Sequence, residues 1–179
     1  MWVTTETNAT RLVWQQELET LFREHYPMLY RTAYSLLGNA EDAEDVPQTI
    51  FLRLLKADSL PDIQKNAAGY LYRAAVNASL SIIRDRKHES LACETEHFES
   101  AIDTARTHST EDAHRRVTEL LAELPPEAAQ ILILRYVHNY SDADIAQMLG
   151  KSRGAIAVRL VRLRTRLKQF VKASLGGKQ

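Results

Sequence analysis

The sequence predicts an all-α protein made of two small helical bundles joined by a flexible acidic linker, the second bundle containing a helix-turn-helix. Three observations carry this. Glycine and proline are scarce, six and five among 179 residues, and no segment alternates apolar and polar residues with the period of two that a half-buried strand needs. Apolar residues recur instead at spacings of three and four, the repeat of one helix face. Charge is also segregated. The last 29 residues carry nine of the 23 Lys and Arg and none of the 23 acids, so a neutral total conceals an acidic body and a basic tail.

The elements follow in order. Residues 1–14 read as a loose lead-in. From Gln15 to Leu37, Leu18, Leu21, Phe22, Leu29, Ala33, Leu36 and Leu37 trace one face, with a kink or restart expected at Pro27. Gly38-Asn39 stops this helix. Ala40-Glu41-Asp42 opens the next, its acids near the positive end of the helix dipole, and it runs to about Ala57 burying Val46, Ile50, Phe51 and Leu54. Leu60-Pro61-Asp62 is a turn. A third helix is expected from about Asn66 to Arg86, with Leu71, Ala74, Ala75, Ala78 and Ile82 inward. This first unit spans 15–87.

Composition then changes. His88 to Asp112 holds seven acids and one arginine with few large apolar side chains, the signature of a solvated linker, placed at 88–110. A second unit, 111–173, precedes a short tail, 174–179. Glu111 to Leu124 forms a helix that Pro125-Pro126 ends, and Pro126 starts another carrying Ile131, Leu132, Leu134 and Val137. Ser141 is placed to cap a short helix opened by Asp142 and Asp144 and closed by Gly150, the residue that most easily takes a left-handed turn. Lys151 to Lys172 is the last helix, with Ile156, Leu160, Leu163, Leu167 and Val171 apolar and Arg159, Arg162 and Arg166 on a basic face. A short helix, a tight turn and a basic amphipathic helix make a helix-turn-helix, whose second helix enters the DNA major groove. Ile156 and Leu160 are assigned to the core.

The bulk numbers exclude several classes. With 45% hydrophobic and 26% charged residues the chain is globular. Cys93 is the single cysteine, so no internal disulfide forms, and His88, Cys93 and His97 match no common zinc spacing. No signal-peptide core and no run of roughly 20 apolar residues is present, which places the protein in the cytoplasm without membrane insertion. His25, His114 and His138 are scattered, no glycine-rich phosphate loop accompanies them, and the pairs Glu41-Asp42 and Glu44-Asp45 are acids of a first helical turn. No enzyme, cofactor or metal is expected.

Two motif sets narrow the field. Leu124-Pro125-Pro126-Glu127, Ile131 to Tyr136, Tyr140 to Ala146 and Leu149 to Ile156, continued by Arg159-Leu160 and Arg162-Leu163-Arg164, resemble region 4 of bacterial sigma factors. Tyr34 to Gln48, Phe51 to Leu54, Ala68 to Asn77 and Ile82 to Lys87 resemble region 2. A chain with only these two regions resembles the extracytoplasmic-function (ECF) group. The resemblance implies a dissociable subunit of RNA polymerase that selects promoters, with core RNA polymerase, promoter DNA and an anti-sigma factor as partners. It places the polymerase clamp helices against Asp45, Gln48, Phe51 and Leu52. It places the melted minus-ten element on Asn77, Arg84, Arg86 and Lys87, with Tyr70 and Tyr72 either stacking on bases or filling the bundle. It assigns duplex contacts at the minus-thirty-five element to Lys151, Ser152, Arg153, Ala155, Arg159, Arg162 and Arg166.

The chain departs from the family pattern at several places. Pro47 lies inside the clamp-binding helix, Thr49 stands where Glu is frequent, Asp85 dilutes a stretch that is usually more basic, and Ser81 replaces a frequent Asp. Ala157 and Val158 replace a basic residue and a serine in the recognition helix. Two other readings compete: a stand-alone helix-turn-helix regulator, and a degenerate paralogue that titrates an anti-sigma factor.

Overall fold

The computed structural model describes residues 3–56, 65–93 and 107–175, and every element in them is α-helical. In chain order these are α1 (Val3–Leu37), α2 (Ala40–Leu55), α3 (Ala67–Cys93), α4 (Thr107–Glu123), α5 (Pro126–Tyr136), α6 (Asp142–Leu149) and α7 (Arg153–Leu175). The chain divides into two compact units, one ending at Glu119 and the other beginning at Leu120. The division falls within α4.

In the first unit α1 packs on both α2 and α3, and α2 on α3. Leu18, Leu29 and Ala33 of α1 meet Ala43, Val46, Ile50 and Leu54 of α2 and Leu71 and Ala75 of α3 in one apolar cluster. Each fully buried Leu, Ile or Val side chain contributes about 1.5–3 kcal/mol. Along α1 an aromatic ladder at four-residue spacing lies beside this cluster, Phe22 on Tyr26 at 5.6 Å between ring centres, Tyr26 on Tyr30 at 6.2 Å and Tyr30 on Tyr34 at 5.9 Å. Gly38, at φ 77°, turns the chain out of α1. Asn39 then caps α2 by accepting from the Asp42 N–H at 2.8 Å.

Three sequence expectations are corrected here, and the tolerance of a fourth feature, Pro47, is explained. The lead-in is helical from Val3, because nothing before Pro27 breaks the helix. Pro27 neither ends nor restarts α1. It is exposed, as is Arg23 four residues before it, so water can reach the carbonyl that loses its partner. Pro47 lies inside an unbroken α2 and is buried with Ala43, Val46, Ile50 and Leu54. Its lost hydrogen bond costs up to about 3 kcal/mol, and three buried ring carbons return about 2.4 kcal/mol at about 0.8 each. Finally, α3 continues through His88 to Cys93 and α4 starts at Thr107, so helix occupies part of the stretch read as linker. The turn at Leu60-Pro61-Asp62 lies outside the described residues.

In the second unit α5, α6 and α7 contact one another pairwise. Ile131, Leu132, Ile133 and Leu134 are buried from α5, Ile145 and Leu149 from α6, and Ile156, Leu160 and Leu163 from α7. Pro125 and Pro126 start α5, where a missing N–H is harmless. Asn139, at φ 61°, is the single non-glycine residue of positive φ among the described residues, and it lets the Tyr140 N–H donate back to the Leu134 carbonyl at 3.0 Å. No helix among the described residues is long and apolar enough to cross a membrane.

Candidate nucleic-acid interface

Local chemistry fixes the helix-turn-helix before any packing does. The Ser141 hydroxyl accepts from the Asp144 N–H at 3.2 Å while the Asp144 carboxylate accepts from the Ser141 N–H at 3.0 Å, a reciprocal cap on α6. The Ser141 hydroxyl and backbone N–H hold the Asp144 carboxyl below its ordinary range. Gly150 closes α6 at φ 65°, ψ 40°, its N–H directed to the Ala146 and Gln147 carbonyls. A Cβ at Gly150 would meet nothing within 4 Å, so a substitution there is opposed by the backbone alone. Gly150→Val is expected to destabilise the second unit by about 1–2 kcal/mol, and Gly150→Asn by less, because asparagine tolerates this region. Urea unfolding followed by circular dichroism measures both, and equal stability for glycine and valine would contradict the left-handed turn.

Helix α7 then presents three kinds of residue. Ile156, Leu160 and Leu163 face the core, as expected. Ser152 caps the helix, its hydroxyl accepting from the Ala155 N–H at 3.2 Å. Arg153, Arg162 and Arg166 are exposed, whereas Ala155 is half-buried. Arg159 is turned back to Glu127 of α5 in an ion pair, and Lys151 Nζ approaches the same carboxylate at 3.4 Å. Burial pushes the Glu127 carboxyl up, and the hydrogen bonds and charges of Arg159 and Lys151 outweigh it, so the group sits below its ordinary value. Arg164 Nε donates to the Tyr136 hydroxyl at 2.9 Å. Of seven predicted duplex contacts, three therefore have a role inside the unit.

In the first unit a groove of about 850 Å³ runs between α2 and α3. Asp45, Thr49 and Arg53 line one wall at four-residue spacing, and Arg73, Asn77, Ser81 and Asp85 line the other. Its floor is apolar, from Val46, Ile50, Ala74 and Ala78. The candidate Tyr70 shares this groove with Asn77, and Arg84 follows Asn77 by two helical turns. Tyr72 is 0% exposed, which leaves its ring to the core and not to a base. Arg86 is turned toward α2, where it pairs with Asp42. Lys87 is exposed.

The side chains read as the polymerase surface are spread around α2, with Asp45 on the groove wall and Gln48 and Leu52 outside it. Asp45 and Gln48 are exposed, and Leu52 is 52% exposed. Phe51 is half-buried, its ring 4.7 Å from that of Phe22. Pro47 lies on the buried side. Sequence reading missed Asp42 and Glu127 as partners of candidate DNA residues. Each is an acid of a first helical turn, a position that already explains its charge.

The Asp42 pair carries a pH dependence. The hydrogen bonds from Arg86 and Asn39 lower the Asp42 carboxyl against the opposing effect of burial. A depressed carboxyl contributes stability above its unfolded value and loses it as pH falls through the folded value. The stability gap between the natural chain and Arg86→Gln is thus expected to be widest at neutral pH and to close in the acid carboxylate range. Urea midpoints from pH 7 downward test this; a gap independent of pH would show that Arg86 acts by packing.

Comparison with known proteins finds two family matches along the chain. Residues 21–89 match the family Sigma-70 region 2, and residues 114–167 match the family Sigma-70, region 4. The ECF RNA polymerase sigma factor SigE of Mycolicibacterium smegmatis is 28% identical over 160 residues, covering 86% of this chain and 61% of the relative. The ECF RNA polymerase sigma factor SigM of Mycobacterium tuberculosis is 29% identical over 153 residues, covering 86% and 76%. Among solved structures, the sigma factor RpoE in complex with the anti-sigma factor NepR from Bartonella quintana shares 27% identity, covers 89% of this chain and 96% of that one, and gives a TM-score of 0.47.

Proposed function

Because the chain belongs to the ECF group of RNA polymerase sigma factors, we propose that it recruits core RNA polymerase to specific promoters through a division of labour between its two units. The observation that carries this is the occurrence of both regions in one chain, in order, with the second built on a capped helix-turn-helix whose last helix is basic and free of acids. Region 2, residues 15–87, binds the polymerase clamp through Asp45, Gln48 and Leu52, with Phe51 bracing the surface from below. Its groove, with Tyr70, Asn77 and the cations Arg53 and Arg73, receives the melted minus-ten strand, since single strands are held by cations and stacking rings. Arg84 and Lys87, further along α3, extend this contact beyond the groove.

Region 4, residues 111–173, binds the minus-thirty-five element as duplex. Arg153, at the start of α7, is placed to reach base edges, and Arg162 and Arg166 contact phosphates, which set affinity and register without specifying sequence. Lys151 and Arg159 act through Glu127, holding α7 against α5. The stretch 88–110 connects the two regions. An anti-sigma factor is the regulatory partner that this reading carries, the site of action is the cytoplasm, and the protein catalyses no reaction of its own. A stand-alone regulator is not favoured, because it leaves region 2 without a task.

Size-exclusion chromatography with sigma-free core polymerase, followed by run-off transcription from genomic templates, tests the proposal. Co-elution and a discrete start site support it. Separate elution overturns it, and co-elution without transcription points to a titrating paralogue.

A further inference from the structure

The outward face of α7 is apolar where a DNA-reading helix usually carries hydrogen-bonding groups. Gly154, Val158, Val161 and Thr165 recur at intervals of four, three and four and form one stripe opposite the buried Ile156, Leu160 and Leu163. Val158 is 51% exposed and Val161 62% exposed, Val161 at the rim of a cavity it shares with Ala128 and Ile131 of α5. Three of the polar groups that could read base edges in or beside this stretch have other partners, which leaves Arg153 at the start of the helix and Arg162 beside the stripe exposed. The Ser152 hydroxyl caps the helix, Arg159 is paired with Glu127, and Arg164 donates to Tyr136. From Gly154 to Val161 the chain contains no Asn, Gln, Asp or Glu. It therefore lacks both the amides that pair with adenine and the carboxylates that accept from cytosine in direct readout.

An exposed apolar stripe is a cost in water unless something apolar covers it. Its flanks say what that is. Arg162 and Arg166 lie along one side and Lys168 along the other, by helical register, so the stripe is bordered by cations as a helix lying between two phosphate backbones would be. Inside the major groove one base presents an apolar edge, thymine, through its C5-methyl group. Val158 and Val161 are three residues apart, about 4.5 Å along the helix, close to the 3.4 Å step between bases of one strand.

We propose that Val158 and Val161 determine promoter specificity by packing on the C5-methyl groups of neighbouring thymines in the minus-thirty-five element. This rests on the assignment of region 4 to duplex DNA and names what that region reads. Replacement of the serine frequent in the family by Val158 then changes the kind of contact, from a hydroxyl donor to a methyl-packing surface, and does not merely delete one.

The test uses the full chain assembled with core polymerase. Random duplexes are selected for binding, and the selected sequence is resynthesised with deoxyuridine in place of thymidine, which removes the methyl and keeps the pairing edge. Affinities are compared by fluorescence anisotropy. The expected result is a run of thymines in the selected element and a loss of about fourfold for each contacted methyl removed. Val158→Ala and Val161→Ala, both exposed and both raising helix propensity, are expected to bind the thymidine duplex more weakly and to lose sensitivity to deoxyuridine. Selection of a defined duplex that tolerates deoxyuridine without loss overturns the methyl readout and leaves region 4 a duplex binder. Failure to select any duplex overturns the assignment of region 4 itself, and the methyl readout with it.

Discussion

Leu52→Glu is expected to abolish co-elution with core RNA polymerase while leaving the helical content of the chain unchanged. Leu52 stands half-exposed on α2, one helical turn after Gln48 and two after Asp45. An exposed leucine beside polar side chains fits a pocket on a partner, and truncating such an anchor typically costs 2 kcal/mol or more, about thirtyfold in affinity. Glutamate goes further, since it brings an unpaired charge into the desolvated contact and adds to the neighbouring acids Glu44 and Asp45. The substitution should cost the isolated protein within about 0.5 kcal/mol, as exposed positions do. Chromatography with core polymerase reads the first effect and thermal unfolding the second. Undiminished co-elution would remove Leu52 from the polymerase contact.

The second large effect is in the other unit. Leu134 is fully buried where α5 meets α6, and the turn after it hangs on its carbonyl through the Tyr140 N–H. Leu134→Asp removes that packing and buries a carboxylate with no cation placed to meet it, a loss expected to exceed about 4 kcal/mol. A unit of this size has little more stability than that to lose. The helix-turn-helix should unfold and duplex binding should disappear, while co-elution with core polymerase survives through the first unit. Heteronuclear NMR of the full chain distinguishes the cases: resonances of the second unit collapse and those of the first persist. Retained duplex binding would contradict the role given to this core.

How much of this was legible in advance depended on the range of the interaction. The Ser141 cap, the Gly150 turn, the Pro125-Pro126 boundary and the Gly38-Asn39 break are written in residues within four of one another, and the sequence displays them directly. The same local logic overreached at Pro27, and at Pro47, expected inside α2, it did not show how the helix tolerates the ring. Proline lowers helix propensity, but an exposed carbonyl at one site and a buried ring at the other offset the penalty, and only the packed structure shows on which side each proline falls. The linker was read from composition, and polar composition does not stop α3 from running to Cys93. Within the site, the exposed Arg153, Arg162 and Arg166 lie where spacing put them. The positions of Arg86, Arg159 and Tyr72 were not legible. Arg86 and Arg159 bond to partners 44 and 32 residues away in sequence, and the inward side of Tyr72 is decided by the register of three helices packed together.

The clasp of Glu127 on Lys151 and Arg159 has a thermodynamic consequence for how this surface meets nucleic acid. Much of the drive for a basic surface to bind a duplex is the entropy of ions released from the phosphates, about 0.9 per phosphate neutralised. A phosphate that engages Lys151 or Arg159 must first displace a carboxylate fixed to the protein. That contact is then an exchange of partners and sets no protein-bound charge free into solution. Of the nine cations in the last 29 residues, these two share one carboxylate and so count as about one in the dependence of affinity on ionic strength. The duplex grip of this region is accordingly less sensitive to salt than its charge alone implies.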